Sequence, residues 1–138
     1  MRRGFGTLLK QGWLWGRVGK FTVVGAVGIG VNMLLLYGLR DGARLPLLLA
    51  SPLAIEGSIA SNYVGNDVWT FKRASRSLRR FAKFNLVSLG SLAIQTGSLY
   101  TIVAVSHIHY LLANLMAIGL GFLWNITVNF LWTWKEGT

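Results

Sequence analysis

The sequence predicts an all-α integral protein of the cell membrane, with four transmembrane helices arranged as two tandem two-helix repeats and both termini in the cytoplasm. Three observations support this fold class. The 138-residue chain is 53% hydrophobic and 13% charged, whereas a soluble domain carries about a quarter charged residues. Its apolar residues are gathered into four long runs. Finally, the motif at residues 62–72, NYVGNDVWTFK, recurs at residues 125–135 as NITVNFLWTWK.

The four apolar runs define the predicted helices, at about residues 21–39, 47–66, 84–106 and 110–131. Each is near the ~20 residues that a helix needs to cross the hydrocarbon core. The segment before them, residues 1–20, combines tryptophan and leucine with cations, which is typical of a segment that lies at the membrane interface. Its glycines argue against a continuous helix there.

The basic residues indicate the orientation of the chain. The net charge is +10, which by itself would suggest nucleic acid as a partner. Of the 14 Lys and Arg residues, however, only Arg40 and Arg44 lie between helices 1 and 2; the rest lie before helix 1, between helices 2 and 3, or after helix 4. The positive-inside rule therefore places both termini and the middle link in the cytoplasm. The expected partner of this charge is the lipid bilayer, not nucleic acid.

Catalytic and metal-binding patterns are missing from the sequence. The chain has no Cys and only four acidic residues, and its two His form an isolated His107-x-His109 pair in a loop. These residues offer neither a nucleophile with a base nor a set of metal ligands. We expect no enzyme, no cofactor and no metal.

Aligning the chain with itself at an offset of 63 residues extends the recurrence from the motif to residues 17–72 and 80–135. The identical positions are Arg17, Lys20, Phe21, Val24, Leu36, Tyr37, Leu48, Leu49, Ala50, Ala54, Ile55, Asn62, Asn66, Trp69, Thr70 and Lys72. This self-similarity predicts a tandem duplication of a two-helix hairpin. Because each copy has two helices, both copies enter the membrane in the same direction.

The polar residues of the motif recur at helical spacing. They are Asn62, Asn66 and Trp69 in helix 2, and Asn125, Asn129 and Trp132 in helix 4. Carboxamides are poor lipid-facing groups, so this face should meet protein or a polar cleft. Two interpretations are open. The asparagines join helices while the tryptophans anchor them at headgroup depth, or the two helix ends form the walls of one polar, aromatic-rimmed vestibule for a ligand headgroup.

These residues resemble the GtrA-like family of membrane proteins. The similarity lies in the Lys20-Phe21 start of helix 1, the Gly-rich sequence of residues 24–28, and the two helix ends of form Asn-x-x-x-Asn-x-x-Trp-Thr-aromatic-Lys, within residues 17–135. The resemblance implies a part in cell-surface polysaccharide synthesis: moving polyprenyl-phosphate-linked sugars across the membrane, or serving the glycosyltransferases that make or use them. Asp67 stands where the family often has a basic residue, so a role for a cation there does not carry over.

Three polar side chains fall near the middle of the predicted helices. A charged Glu56 would cost at least about 2.5 kcal/mol in hydrocarbon, and Asn32 and Gln95 occupy equivalent positions of the two repeats. Either Glu56 couples to protons or to a cationic group, or it is neutral and hydrogen-bonded to Asn32 or Gln95. All three are candidate substrate-binding residues.

The basic link after helix 2 is a second candidate region. Its sequence predicts one helical face that carries Arg73, Arg76, Arg80 and Lys83. Arg76, Arg79 and Arg80 are candidates for binding the phosphate of a polyprenyl carrier, because Arg forms bidentate bonds with phosphate. The alternative is a role in topology and in binding anionic lipid.

Small residues four positions apart predict close helix packing. They form three sets: Ala26 and Gly30 in helix 1; Gly57, Ser61 and Gly65 in helix 2; and Ala117 and Gly121 in helix 4. Four helices of this size enclose little space for a lipid-linked sugar, so we expect a homo-oligomer.

Three functions compete. The first is assistance in translocating (flipping) polyprenyl-phosphate-linked sugars, and the alternative is a non-transporting accessory subunit that recruits a membrane glycosyltransferase. Both would use a basic cytoplasmic face, so the sequence does not separate them. The third is a small multidrug-type exporter. It is disfavoured because such exporters typically have a weak charge bias and place their acid in helix 1, whereas Glu56 lies in helix 2.

Overall fold

The computed structural model describes residues 2–135; residues 1 and 136–138 lie outside it, as do the side chains of residues 2–9, 110 and 111. Part of the predicted interfacial segment 1–20 and the end of the predicted single domain 1–138 therefore lie outside the described residues. Helices make up 87% of the structure, and the described residues contain no strand. The chain divides into two compact units, Met1–Arg76 and Ser77–Thr138.

The first unit is a helical hairpin. Its helices are α1 (Arg2–Tyr37) and α2 (Leu47–Gly65), and each ends in a π-helical turn, Gly38–Gly42 after α1 and Asn66–Thr70 after α2. Val24 of α1 lies against Gly65 near the end of α2, and Leu35 lies against Gly57. Since the contact positions run in opposite directions along the two helices, α1 and α2 are antiparallel.

The second unit is also a helical hairpin. Its helices are α3 (Leu78–Ser106) and α4 (Tyr110–Val128), and the π-helical turn Asn129–Thr133 follows α4. The side chain of Ser77 caps α3 by accepting a hydrogen bond from the Arg80 backbone N–H at 3.2 Å, which satisfies one of the donors left open at a helix start. Gly90 and Ser91 of α3 face Trp124 and Gly121 of α4, so these helices are antiparallel as well.

Several residues that are 63 positions apart are buried in both hairpins. The matched buried pairs are Phe21 and Phe84, Val24 and Val87, Ala50 and Ala113, Ala54 and Ala117, Asn66 and Asn129, Thr70 and Thr133, and Phe71 and Trp134. One interhelical hydrogen bond also recurs, with donor and acceptor exchanged. Ser58 Oγ donates to the carbonyl of Gly28 at 2.7 Å, whereas Ser91, the counterpart of Gly28, donates to the carbonyl of Gly121 at 2.7 Å.

Two predictions about helix boundaries are wrong. The helix α1 begins at Arg2, so the glycines of residues 1–20 do not interrupt it; one glycine costs a helix only about 1 kcal/mol relative to alanine. The basic link is not helical before Leu78, because Ser77 caps the helix at that point. Arg73 and Arg76 therefore do not share a helical face with Arg80 and Lys83.

The chain has the surface of a membrane protein. Three described helical segments are long and apolar enough to cross a membrane: Lys10–Gly42, Leu78–Ser106 and Leu112–Thr133. Among the described residues, the largest fully buried side chains are Phe84 and four polar ones, Asn66, Asn129, Thr133 and Asp67. Large apolar side chains are instead exposed, with Leu48 at 85% and Leu34 at 74%. Polar groups inside and apolar groups outside fit surroundings of lipid.

Small residues mark the helix contacts, although not all of the predicted ones. Ala117 and Gly121 are buried in α4 as predicted. Ala26 and Gly30 are exposed, so the prediction that they pack against a neighbour is wrong; the α1 contact is made by Gly28, which is buried. A spacing of four residues identifies a face of the helix but does not say which face meets the neighbouring helix.

Candidate functional site

The recurring motif forms the π-helical turns Asn66–Thr70 and Asn129–Thr133. In the first, Thr70 Oγ1 donates to Asn66 Oδ1 at 2.8 Å; in the second, Thr133 Oγ1 donates to Asn129 Oδ1 at 2.6 Å. Each turn closes with a backbone bond, from Phe71 N to the Asn66 carbonyl at 2.8 Å and from Trp134 N to the Asn129 carbonyl at 3.0 Å. The motif thus provides hydrogen-bond donors at the ends of α2 and α4, where the last carbonyl groups of a helix lack donors within the helix.

A lysine lies over the tryptophan of each motif. Lys20 Nζ is 5.5 Å from the ring centroid of Trp69, and Lys83 Nζ is 5.2 Å from that of Trp132. The tryptophans are 44% and 43% exposed. Each pair lies within its own unit and presents a cation beside an accessible indole face. The electrostatic attraction between the ammonium group and the ring stabilises the pair.

The aromatic residue after each motif threonine is buried and packs on the first helix of its hairpin. Trp134 meets Phe84 of α3 edge-on, with ring centroids 5.4 Å apart. Phe71 lies 5.1 Å from the guanidinium carbon of Arg17, which is also 3.7 Å from the ring of Trp13. These contacts hold each π-helical turn against the first helix of its hairpin, while Trp69 and Trp132 remain partly exposed at the surface.

The first asparagine of the motif differs between the two units. Asn129 Nδ2 donates to the side-chain oxygen of Asn125 and to its backbone carbonyl, the latter at 2.8 Å. The corresponding Asn62 packs so closely on Gly28 that a Cβ atom built there would lie 2.0 Å from Asn62 Oδ1. That oxygen is buried and has no hydrogen-bond partner in the described part of the protein.

The predicted site residues fall into three settings. Asn66, Asn129 and Arg80 are buried, whereas Trp69, Trp132, Arg76 and Arg79 are exposed, and Asn62 and Asn125 are intermediate. Each hairpin brings its own Asn, Trp and Thr residues together. The vestibule formed by both motifs stays a prediction. Asn66 and Asn129 are buried and hydrogen-bonded within their own hairpins, which is typical of structural residues.

The three polar residues predicted at mid-membrane lie on different helices. Glu56 is exposed on α2, while Asn32 on α1 and Gln95 on α3 are half-buried. The Gln95 Cβ lies 3.3 Å from the position that a Cβ at Gly121 would occupy. Among the described residues, no three His, Asp or Glu side chains come together as a metal ion would require. The role of Glu56 stays a prediction.

Four residues that the structure places beside the candidate site are not among those predicted from the sequence: Lys20, Lys83, Thr70 and Thr133. All four are identities of the 63-residue alignment, so the signal was present. The alignment alone does not identify them as site residues, because an identity does not say that Lys20, in α1, reaches over Trp69, at the end of α2.

Comparison with known proteins identifies the family of the chain. The GtrA/DPMS, transmembrane domain family matches residues 20–134. A relative from Pyrococcus furiosus, named dolichol-phosphate mannosyltransferase, is 38% identical over 120 residues, which cover 86% of this chain and 34% of the relative. The chain thus spans about a third of that relative's length. It is a multi-pass membrane protein, and it belongs to the GtrA/DPMS transmembrane domain family.

Proposed function

We propose that this chain is a membrane component of polyprenyl-phosphate-sugar metabolism and that it assists the translocation of the lipid-linked sugar across the membrane. The observation that carries the proposal is the family match over residues 20–134, together with a relative whose name specifies dolichol phosphate. A protein with this task needs an apolar surface for the lipid tail, cations for the phosphate and aromatic or amide groups for the sugar.

The proposal includes four membrane spans with both termini in the cytoplasm. Ser51, Glu56 and Asn62 lower the apolar character of α2, but its 19 residues extend about 28 Å at 1.5 Å per residue, close to the ~30 Å hydrocarbon core. Since α2 is antiparallel to α1 and carries exposed leucines such as Leu48 and Leu53, lipid is its natural surrounding.

The proposal also includes an internal duplication, with hairpin 17–72 copied as hairpin 80–135. The support is the set of matched buried pairs, such as Ala50 with Ala113, and the pairing of Lys20 with Trp69 and of Lys83 with Trp132. These equivalent positions make the same kind of contact in each hairpin, as copies of one ancestral hairpin would.

The Lys–Trp pairs give the proposed function its chemistry. An ammonium attracts the phosphate of the lipid carrier, and an accessible indole face offers an apolar platform for a sugar ring. Arg76 and Arg79 are exposed in the same basic stretch of sequence and add positive charge. In this proposal the residues bind and guide the headgroup and break no bond, so the chain is not an enzyme, and a homo-oligomer supplies the rest of the path.

Transport by the purified protein in liposomes tests the proposal. A labelled polyprenyl-phosphate mannose is placed in the outer leaflet, and its loss from reach of a membrane-impermeant reagent is followed in time. We expect faster loss than in liposomes without protein; equal rates contradict translocation. Changing both Lys20→Gln and Lys83→Gln should slow transport at least about tenfold, because a hydrogen bond to a charged group contributes about 1.5–3 kcal/mol.

The control is Lys10→Gln, which removes one positive charge, half of what the double change removes, from an exposed position of α1. It should transport at nearly the wild-type rate. If Lys10→Gln slows transport as much as the double change does, net charge explains the effect and the Lys–Trp pairs do not.

A second candidate function is an accessory role beside a glycosyltransferase. It is favoured by one observation: the relative named mannosyltransferase is about three times as long as the matching region, since this chain covers 34% of it. In this accessory role, a separate enzyme corresponds to the part of the relative that this chain does not match. Co-purification with a polyprenyl-phosphate glycosyltransferase from the same cells, together with a liposome rate equal to the protein-free rate, would support this role over translocation.

A further inference from the structure

We infer that each Lys–Trp pair is a complete binding site for the phosphate group of a membrane lipid, so that one chain binds two such lipids independently. This inference rests on the proposed function and deepens it, because it gives the number of headgroup sites and assigns one to each hairpin. It differs from the vestibule predicted from the sequence, in which both motifs line a single site.

Each pair is assembled within a single hairpin. In the first, Lys20 of α1 lies over Trp69 at the end of α2, with Nζ 5.5 Å from the ring centroid. In the second, Lys83 of α3 lies over Trp132 after α4, at 5.2 Å. The exposed fractions of the two indoles, 44% and 43%, also agree. Neither pair needs a residue from the other hairpin, so the two sites can be filled separately.

Both ammonium groups remain available to an anion. An ammonium has three N–H donors, and contact with a ring face occupies only one side of the group. In the described part of the chain, neither Lys20 nor Lys83 forms an ion pair with a carboxylate. Both side chains are half-buried, so they are still in reach of a ligand. A phosphate oxygen is a strong acceptor for such a donor, because the hydrogen bond joins opposite charges.

An exposed apolar side chain lies three residues after each lysine, toward the middle of the helix. Val23 follows Lys20 and is 50% exposed, and Leu86 follows Lys83 and is 61% exposed. Residues three apart share a helix face, and at 1.5 Å per residue the apolar side chain lies about 4.5 Å further along the helix. A ligand bound here meets a cation, an indole and then an apolar surface. This order fits a lipid phosphate with its tail, whereas a soluble phosphate would use the cation alone.

The residue after each tryptophan holds the indole in place. Thr70 and Thr133 are buried, and each donates a hydrogen bond to the motif asparagine of its own turn, at 2.8 Å to Asn66 and at 2.6 Å to Asn129. The backbone beside each indole is therefore fixed before a ligand arrives. A site whose groups are already ordered loses less conformational entropy on binding.

Counting bound lipids tests the inference. The purified full-length chain is mixed with polyprenyl phosphate, and the lipids bound per chain are counted by native mass spectrometry. We expect two on the wild type, one on Lys20→Gln, one on Lys83→Gln and none on the double variant. The lipid that each single variant retains also shows that the variant is folded. The control Lys10→Gln changes an exposed lysine of α1 outside both pairs and should bind two.

Two results would overturn the inference. One lipid on the wild type that either single change removes would indicate one shared site. No lipid on the wild type, or two on the double variant, would mean that the pairs only anchor the helices at headgroup depth. The liposome assay separates these failures from that of the proposed function, because transport faster than in protein-free liposomes would uphold translocation whatever the number of sites.

Phosphatidylglycerol in place of polyprenyl phosphate identifies the source of the phosphate. Weaker binding of phosphatidylglycerol supports the lipid carrier as the ligand of both sites. Equal binding, two per chain and lost one at a time in the same variants, would uphold the two sites and contradict the carrier named in the proposed function.

Discussion

At the scale of the residue, the motif is explained by the hydrogen bonds that its polar members make. Asn66 with Thr70 and Asn129 with Thr133 are buried pairs four positions apart. The sequence predicted that the asparagines face away from lipid, because bare carboxamides are costly in hydrocarbon. It did not predict their bonds to the threonines, since helical spacing gives the face of a side chain but not its rotamer or its partner.

The Asn129–Thr133 bond leads to a stability prediction. Thr133→Val keeps the shape of the side chain and removes the donor, which leaves the buried Asn129 Oδ1 short of a partner. An unsatisfied buried group costs about 1–3 kcal/mol, so we expect a lower melting temperature for the purified protein in detergent. Thr127→Val, at an exposed position of α4, is the control and should melt like the wild type. Equal melting of both variants would mean that the bond contributes little.

At the scale of the element, each hairpin is held by close approach of its helices. Without a hydrophobic driving force in lipid, contacts of this kind depend on packing and on interhelical hydrogen bonds. The Trp124 Nε1–H bond to the Val87 carbonyl at 3.1 Å is one of these. The helices themselves were predictable from apolar runs; the π-helical turns were not, because their sequence has the same spacing as an ordinary α-helix.

Substitutions at two glycines of α1 can distinguish the effect of helix packing on stability from the effect of helix propensity. A Cβ at Gly28 would lie 2.0 Å from Asn62 Oδ1, whereas one at Gly30 would meet nothing within 4 Å. We therefore expect Gly28→Ala to lower the melting temperature. Gly30→Ala should leave it unchanged or raise it, since alanine favours a helix over glycine by up to about 1 kcal/mol. If both variants melt alike, α1 and α2 do not rely on close contact at Gly28.

At the scale of the whole molecule, composition and charge were sufficient to predict an all-helical membrane protein, because lipid admits few ways to satisfy a backbone. The sequence did not define the number of spans equally well. Glu56 and its polar neighbours lower the apolar character of α2, so the fourth span stays a prediction.

The topology can be tested by labelling, because the chain has no Cys and a single introduced thiol is therefore unique. Ala43, His107 and Ala74 are all exposed. With four spans and cytoplasmic termini, Ala43→Cys and His107→Cys should react with an impermeant maleimide on intact cells, and Ala74→Cys only after the cells are opened. Protection of both Ala43→Cys and His107→Cys together with labelling of Ala74→Cys on intact cells would contradict the proposed orientation. Labelling of both Ala43→Cys and Ala74→Cys with protection of His107→Cys would contradict the four-span arrangement.

The Ser–Gly hydrogen bond, whose donor lies on the second helix of one hairpin and on the first helix of the other, indicates which substitutions this contact tolerates. Ser58 bonds Gly28 in one hairpin, and Ser91 bonds Gly121 in the other, so the hydroxyl sits on opposite helices at the same crossing. On the proposed duplication, at least one copy has passed through an intermediate with glycine or serine on both sides. The glycine intermediate forgoes one hydrogen bond, a loss of about 1 kcal/mol that many proteins tolerate. On the same proposal, selection at this crossing acts on the pair as a unit, and comparison of single columns among relatives would make both positions look more variable than the contact they form.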